Sequence, residues 1–309
     1  MWPILVEVGP PGSGAVPTYL VFVLSAFMAG CLWVHRRGRR VGIDPDTLVG
    51  LYLVAALTGF GGARLLHFLG GEWQRFLADP SVLFDPRSGG LAFLGGVGGG
   101  LFGGAIYARA MRLPAWKLAD VVAVALMLGL GIGRLGCFFG GCCHGRACAA
   151  QAGGLLLDLP GGEVWWTEGL PLLALRFDTG AVAGQLVYPT QLIESAGAFL
   201  LAAGLHQLTV RRRRFDGQVL AAMLASYGML RFFVETLRGD LVRGADHLFL
   251  GTTWSTGQLS SLALLVGAVG VVALRRKAGV GPESVFQDDV EEGAFADDLD
   301  DVLKAVRDH

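Results

Sequence analysis

The chain has 309 residues, of which 53% are hydrophobic and only 17% are charged, and its formal net charge at pH 7 is -1. Soluble globular domains carry more charge than this, and the near-neutral balance gives no support for nucleic-acid binding. Apolar runs of about 20 residues, the length that crosses a bilayer core, recur along the chain. The composition therefore predicts an all-α, polytopic membrane protein.

Seven apolar stretches predict seven transmembrane helices. The first stretch lacks the basic n-region and the small-residue cleavage site of a signal peptide, so we expect it to remain as a helix. The predicted spans are approximately residues 17–35, 47–70, 90–109, 117–136, 188–209, 217–237 and 256–274.

Basic clusters in alternate loops predict the orientation of these helices. The clusters follow the first, third, fifth and seventh spans, and they contain Arg36, Arg37, Arg39, Arg40, Arg109, Arg112, Lys117, Arg211, Arg212, Arg213, Arg214, Arg275, Arg276 and Lys277. Since Lys and Arg are retained in cytoplasmic loops, the N-terminus is predicted outside and the C-terminus in the cytoplasm.

Two segments of the chain lie outside the predicted spans. Within the membrane domain, residues 1–277, the segment 137–187 forms the longest loop and is predicted to be extracytoplasmic. Its tryptophans favour a segment at the membrane surface, and a folded cap over the helices is the alternative. Residues 278–309 form an acidic cytoplasmic tail, which is either one amphipathic helix or a solvated, partly disordered segment.

Ionisable residues inside membrane spans are costly and usually functional. With the predicted orientation, several polar residues fall near the outer leaflet: Arg64, His67, Arg134, Gln191, Glu194, Tyr227, Arg231, Glu235 and Arg238. We expect a shared polar cavity in which arginines bind a phospholipid phosphate, because guanidinium groups pair bidentately with phosphate. Snorkelling of arginines at helix ends is the alternative for Arg134 and Arg238.

Four of the five cysteines lie close together, at Cys137, Cys142, Cys143 and Cys148, with His144 among them. Three explanations remain open: a metal site, although the spacing is compact for one; a local disulfide outside the cytoplasm; or small side chains that fill space in a glycine-rich turn. The glycines of "SGGLAFLGGVGGG", residues 88–100, indicate close helix packing rather than a nucleotide-binding loop.

Five stretches resemble motifs of the prolipoprotein diacylglyceryl transferase family, and they occur in the order of that family. "GRLGCFFGGCCHGR", residues 133–146, resembles the signature G-R-x-G-N-F-x-N-x-E-x-x-G. "YPTQLIES", residues 188–195, resembles H-P-[ST]-Q-L-Y-E, and "SYGMLRFFVETLR", residues 226–238, resembles Y-G-x-x-R-x-x-x-E-x-x-R. "GGARLL", residues 61–66, and "GGLAFLGG", residues 89–96, resemble the G-G-R-L and G-G-x-x-x-H-G-G segments.

The resemblance implies an enzyme of the bacterial inner membrane that needs no cofactor. Members transfer the diacylglyceryl group of phosphatidylglycerol to the lipobox cysteine thiol of a secreted prolipoprotein, whose signal peptide is a partner, and glycerol phosphate leaves. The implied catalytic residues are Arg231 and Tyr227, with His144 as a candidate base. The implied substrate-binding residues are Arg134, Arg64, Gln191, Glu194, Glu235, Arg238 and Gly145.

The chain departs from the family pattern at the position of the usual base. Leu94 stands where most members have the histidine favoured to deprotonate the thiol, and cysteines replace the usual asparagine and glutamate of the signature at Cys137 and Cys142. His144, His67 and Glu194 are candidate substitutes. Two alternatives follow: a non-catalytic lipid-binding or transport-like paralogue that keeps the arginine cavity, and a thiol-redox membrane protein built on the cysteines.

Overall fold

The computed structural model describes residues 4–7, 15–83, 92–159, 162–167, 173–177, 183–238, 247–249 and 252–277. The chain forms two compact units, one made of Trp33–Ala119 and the other of Met1–Leu32 with Asp120–His309. The acidic tail, for which the sequence left an amphipathic helix and a solvated segment open, lies outside the described residues, and so does the start of the glycine-rich stretch.

A helix occurs at each of the seven predicted places. In chain order the helices are α1 Thr18–Arg40, α2 Pro45–His67, α3 Trp73–Ala78, α4 Phe93–Ala110, α5 Ala115–Phe139, α6 Thr190–Gln207, α7 Gln218–Thr236 and α8 Thr256–Lys277. The short α3 is additional to the prediction. A π-helical turn, Phe68–Glu72, joins α2 to α3, and a second, Leu208–Arg212, continues α6.

Five of the helices in the described part of the chain are long and apolar enough to cross a membrane. The candidate spans are Thr18–Arg40, Pro45–Gly70, Ala115–Phe139, Gln218–Thr236 and Thr256–Arg276. Large apolar side chains on these helices are exposed, among them Met28, Leu57 and Val266, which suits a lipid environment. The chain is therefore a membrane protein, while crossing by α4 and α6 and the outside N-terminus stay predictions.

In the unit Trp33–Ala119, α2 and α4 pack backbone against backbone. Asp44 caps α2 by accepting a hydrogen bond from the Thr47 amide at 3.0 Å, and Pro45 occupies the first turn. A Cβ atom on Gly95 of α4 would overlap the carbonyl oxygen of Gly62 on α2, and one on Gly99 would overlap that of Thr58. The glycines of the fourth helix thus permit close packing, as the sequence predicts.

In the unit made of Met1–Leu32 and Asp120–His309, hydrogen bonds from the start of α7 to Asp120 connect α7 to α5. The Asp120 side chain is fully buried, and it accepts hydrogen bonds from the backbone amides of Gly217 at 2.8 Å and Leu220 at 2.9 Å. A carboxylate from a neighbouring helix therefore caps the first turn of α7, which satisfies amides that have no partner within the helix. Arg213 is buried beside Asp120 and also pairs with Asp216, so it is a buried, paired arginine rather than a solvated one.

The predicted extracytoplasmic loop contains strands, which the all-α prediction omitted. β3 Ala150–Leu159, β4 Gly162–Thr167, β5 Leu173–Phe177 and β6 Leu186–Val187 form an antiparallel sheet in sequence order. Its buried face, Val164, Leu175, Phe177 and Val187, packs with Phe138 at the end of α5 and Leu192 at the start of α6. This packing favours the folded-cap alternative, because apolar side chains on one face of a sheet need a partner surface.

Two short antiparallel hairpins complete the described structure. The first pairs β1 Ile4–Glu7 with β2 Ala15–Pro17 directly before α1, and the second pairs β7 His247–Phe249 with β8 Thr252–Trp254 directly before α8.

Candidate active site

Glu194, in the second turn of α6, lies at the centre of a buried polar cluster. Its side chain is only 1% exposed. One carboxylate oxygen, Oε2, lies 2.8 Å from Nη2 of Arg134 and 3.4 Å from Nη1 of Arg231, while Oε1 accepts a hydrogen bond of 3.1 Å from the Tyr227 hydroxyl. A buried carboxylate of this kind requires such partners, since an uncompensated charge in the interior is very unfavourable. Three predicted site residues on two other helices therefore converge on it.

Arg231, on α7, connects Glu194 to a second carboxylate. Its Nη2 atom lies 2.7 Å from Oε2 of Glu235, one turn further along the same helix. Tyr227, Arg231 and Glu235 are spaced four residues apart, so they lie along one face of α7. The stripe predicted from the sequence is thus present, and its polar ends point to Glu194 and to the start of α8.

The start of α8 contacts Glu235, and this segment was not included in the site predicted from the sequence. The Ser255 hydroxyl donates to Oε1 of Glu235 at 3.0 Å, and any side chain on Gly257 would overlap the Glu235 carboxylate. Ser255 also forms a reciprocal cap with Gln258. The backbone amide of Gln258 donates to the serine hydroxyl, and the backbone amide of Ser255 donates to the side-chain oxygen Oε1 of Gln258. The sequence signal for this helix start is the S-x-x-Q pattern of "STGQ", residues 255–258.

Arg134, near the end of α5, is part of the cluster rather than a snorkelling side chain. Its side chain is 15% exposed and pairs with Glu194. Within the described part of the chain, its Nε atom is buried without a hydrogen-bond partner. A guanidinium has five N–H donors in a fixed fork, so Arg134 keeps donor capacity that Glu194 does not use.

The loop that follows α5, residues 140–146, contains the second half of the signature stretch and is called the signature loop. The beginning of α6 holds it in place. The side-chain amide of Gln191 donates to the Cys142 carbonyl at 2.7 Å, and the Thr190 hydroxyl donates to the Cys143 carbonyl at 2.9 Å. Gln191 thus positions the loop, and its Oε1 atom is buried without a hydrogen-bond partner among the described residues. Nδ1 of His144 lies 3.1 Å from the carbonyl oxygen of Gly145, which suits an Nδ1–H donor and leaves Nε2 as the basic nitrogen.

Gly145 lies where three segments of backbone meet. Its amide donates to the Tyr188 carbonyl at 2.9 Å, and it forms an antiparallel bridge with Arg238 just after α7. A Cβ atom here would lie 2.7 Å from the Tyr188 carbonyl oxygen and 2.8 Å from the Leu237 carbonyl oxygen. Only glycine fits, so the predicted role of Gly145 in binding substrate is accompanied by a clear structural one.

Three of the signature cysteines bring their sulfur atoms together. The Sγ atoms of Cys137, Cys142 and Cys143 all lie within 4.8 Å of one another, and Cys148 is not part of this group. Cys137 is buried, whereas Cys142 is exposed.

The remaining predicted site residues belong to the unit Trp33–Ala119. Arg64 is buried, donates to the Val82 carbonyl at 3.3 Å, and lies over the Phe68 ring at 5.7 Å. Nε2 of His67 lies 3.5 Å from Oε1 of Glu72. Leu94, in the first turn of α4, is 77% exposed, so its side chain is available to a ligand or to lipid.

Comparison with known proteins agrees with the resemblance seen in the sequence. Residues 3–274 match the family described as prolipoprotein diacylglyceryl transferase. A Bacillus cytotoxicus protein named phosphatidylglycerol–prolipoprotein diacylglyceryl transferase is 32% identical over 271 residues, which cover 87% of this chain and 91% of that protein. Proteins of the same name from Bacillus cereus and Bacillus mycoides are each 32% identical over 280 residues, covering 89% of this chain and 93% of theirs. The chain belongs to the prolipoprotein diacylglyceryl transferase family.

Proposed function

We propose that the chain transfers the diacylglyceryl group of phosphatidylglycerol to the lipobox cysteine thiol of a secreted prolipoprotein. The names of the family and of its relatives support this reaction. The observation that carries the proposal is the convergence of Arg134, Arg231 and Tyr227 on the buried carboxylate of Glu194.

The reaction is a substitution at carbon without any change of oxidation state. The acceptor thiol loses its proton, and its sulfur forms a C–S bond to the glyceryl carbon that carries the phosphate ester. The C–O bond breaks, and glycerol phosphate leaves with the electron pair. An active site must therefore stabilise negative charge on the departing phosphate and favour the thiolate.

Arg134 and Arg231 can stabilise the negative charge on the departing phosphate. Preorganised cations in a site without water stabilise charge that develops in the transition state, often as the largest catalytic contribution. Arg134 and Arg231 are held in place by Glu194 and Glu235, and the buried Nε of Arg134 is an unused donor within the described residues. We propose that both guanidinium groups bind the lipid phosphate. The single O–H donor of Tyr227 is used by Glu194, so Tyr227 positions the carboxylate that orients them.

The other predicted residues have supporting roles in this proposal. Gln191, Gly145 and Arg238 fix the signature loop against α6 and the end of α7. Glu194 and Glu235 orient the arginines, and Arg64, in the unit Trp33–Ala119, stays a predicted lipid-binding residue. His144 is one candidate base for the thiol, with Nε2 as its basic nitrogen.

The proposed location is the bacterial plasma membrane, crossed several times, with the N-terminus outside. The prolipoprotein reaches the site through its signal peptide from the outer face. The alternating basic clusters support this orientation. An impermeant thiol reagent applied to intact cells should label single cysteines introduced within residues 150–187 and should not label ones at 211–214.

A direct assay tests the reaction. Purified full-length protein is mixed with phosphatidylglycerol vesicles and a peptide that carries a lipobox cysteine, and mass spectrometry detects the peptide with one added diacylglyceryl group. Arg231→Ala should abolish most of the product. Arg75→Ala, which replaces a half-exposed arginine in the unit Trp33–Ala119, should not. A peptide that stays unmodified by the parent protein would overturn the proposal.

Leu94 favours one second candidate function. An exposed leucine at the position of the usual base suits a protein that binds the lipid without transferring it. In that case the parent protein would bind phosphatidylglycerol vesicles, Arg231→Ala would weaken this binding, and the lipobox peptide would remain unmodified by the parent and by Leu94→His alike.

A further inference from the structure

The three-cysteine cluster has the donors of a site for a thiophilic metal ion. The sulfurs of Cys137, Cys142 and Cys143 lie within 4.8 Å of one another. In a tetrahedral zinc site with Zn–S bonds of about 2.3 Å, neighbouring sulfurs are about 3.8 Å apart. Shifts of roughly 1 Å or less would therefore bring all three sulfurs to bonding distance, whereas a disulfide bond of about 2.05 Å would use only two of them.

The backbone around the cluster is fixed in a form that few sequences adopt. Cys143 has a φ of 60°, in the left-handed region that favours glycine. Thr190 and Gln191 hold the carbonyl groups of Cys143 and Cys142 by side-chain hydrogen bonds. Non-glycine residues persist in such conformations when the surrounding structure imposes them, which is common at binding sites.

The surroundings of the cluster include a cation. Arg134 lies three residues before Cys137 on α5, about one helical turn away. A nearby cation stabilises thiolates, and Arg134 is such a cation. Cys142 is exposed, so one side of the cluster is open to a fourth ligand.

We propose that Cys137, Cys142 and Cys143 bind Zn²⁺ and that the acceptor thiol is its fourth ligand. Three protein ligands with one open position are typical of catalytic zinc sites, while structural sites have four. A thiol that coordinates a divalent metal is deprotonated by it, so the zinc performs the task of the histidine that Leu94 replaces. This role in thiol activation rests on the proposed transferase function, whereas metal binding itself does not.

The proposed step is a substitution at the glyceryl carbon. The acceptor thiol releases one proton to solvent when its sulfur binds the zinc. The metal-bound sulfur then forms the C–S bond with the glyceryl carbon as the C–O bond breaks, and glycerol phosphate leaves near Arg134. The thioether product is a weaker ligand than the thiolate, so it dissociates and reopens the fourth position.

The first test measures metal rather than activity. Full-length protein purified in detergent under reducing conditions is expected to contain about one zinc per chain, as a three-thiolate site should. Cys137→Ser, Cys142→Ser and Cys143→Ser should each weaken zinc binding by at least ~10-fold. Cys148→Ser and Cys31→Ser are the matched controls and should keep the zinc, since neither sulfur belongs to the cluster.

Cobalt gives a second readout that does not depend on the stability of a variant. Co²⁺ bound to the parent protein should show sulfur-to-metal charge-transfer absorption from three thiolates. A lipobox peptide should raise this absorption by on the order of a third, as a fourth thiolate joins, and the same peptide with serine in place of cysteine should not.

The outcomes separate the metal site from the transferase function. Zinc below about 0.1 per chain, equal loss in Cys148→Ser, or a mass lowered by two hydrogens through a disulfide among the three cysteines overturns the metal site. Full transfer activity after the zinc is removed by a chelator overturns thiol activation and leaves the transferase function standing. Zinc binding without any transfer by the parent overturns the transferase function and leaves the metal site standing.

Discussion

Arg134 on α5 and Glu194 on α6 form an ion pair at 2.8 Å, and the Glu194 carboxylate is the common partner of two guanidinium groups and a phenol. The positive charges of Arg134 and Arg231 are balanced by Glu194 and Glu235. A lipid phosphate that enters the site therefore adds to a neutral cluster, and it binds through the N–H donors that the carboxylates leave unused.

Glu194→Gln should destabilise the protein strongly. The amide keeps the size of the side chain but removes the charge, which leaves two largely buried arginines undercompensated, and breaking a buried pair in this way costs about 3–5 kcal/mol. Thermal unfolding in detergent, followed by size-exclusion chromatography, measures the change. Glu72→Gln removes a half-exposed partner of Arg75 and should cost less than about 1 kcal/mol. Equal effects of the two substitutions would contradict a central role for Glu194.

Arg231→Lys should keep the fold and lose most of the activity. The guanidinium spans from Glu194 to Glu235, and a single ammonium cannot bridge both carboxylates and also bind phosphate bidentately. We expect transfer to fall at least ~10-fold, the change that about 1.4 kcal/mol of lost transition-state stabilisation produces. The measurement is kcat/KM for phosphatidylglycerol at unchanged thermal stability, and parent-like kinetics would exclude the bidentate role.

Gly145→Ala should disturb the signature loop. The added methyl group would press against the backbone of Tyr188 and Leu237 at less than 3 Å, and overpacking of this kind costs about 1–3 kcal/mol. Gly133→Ala is the matched control in the same stretch, because its added methyl group would meet no neighbouring atom of the described residues within 4 Å. It should be neutral, or stabilising by up to about 1 kcal/mol through helix propensity. Thermal unfolding of both variants provides the comparison.

Gly95→Ala should separate α2 from α4, whereas Gly98→Ala should be tolerated. A Cβ atom on Gly95 would overlap the Gly62 backbone, and one on Gly98 would meet no neighbour within 4 Å in the described part of the chain. We expect a loss of about 1–3 kcal/mol for the first and little change for the second. Protease resistance of the purified protein over a temperature series distinguishes them, and a tolerated Gly95→Ala would contradict the close packing.

Leu94→His should change the transfer rate by less than about threefold while the three cysteines are intact, because the proposed metal already deprotonates the thiol. General base catalysis contributes about 10²- to 10⁴-fold, so a rise of that size would indicate that the base is simply missing from the parent. Leu94 is exposed, so the substitution should leave thermal stability unchanged, and a melting curve checks this. His144→Ala in parallel tests the other candidate base: strong impairment would assign proton removal to His144.

The helical positions and the polar stripe on α7 could be predicted from sequence because both depend on local periodicity. Tyr227, Arg231 and Glu235 share a face through helix geometry alone. The contact of Gln191 with the Cys142 carbonyl joins residues 49 positions apart, and no local pattern specifies such a pairing. The strands of residues 150–187 were missed because their alternation is irregular, with register shifts between β3 and β4.

Polar contacts tie α7 to its neighbours near both of its ends. Asp120 at the start of α5 caps α7, while Arg134, about 21 Å further along the α5 axis, meets Arg231 through Glu194. An axial slide of α7 by one turn would break both sets of contacts. In bilayers of different thickness, hydrophobic mismatch must therefore be relieved by tilting α5 and α7 together rather than by sliding one past the other. The guanidinium groups consequently keep a constant spacing from the capped end of α7, whatever the thickness of the surrounding membrane.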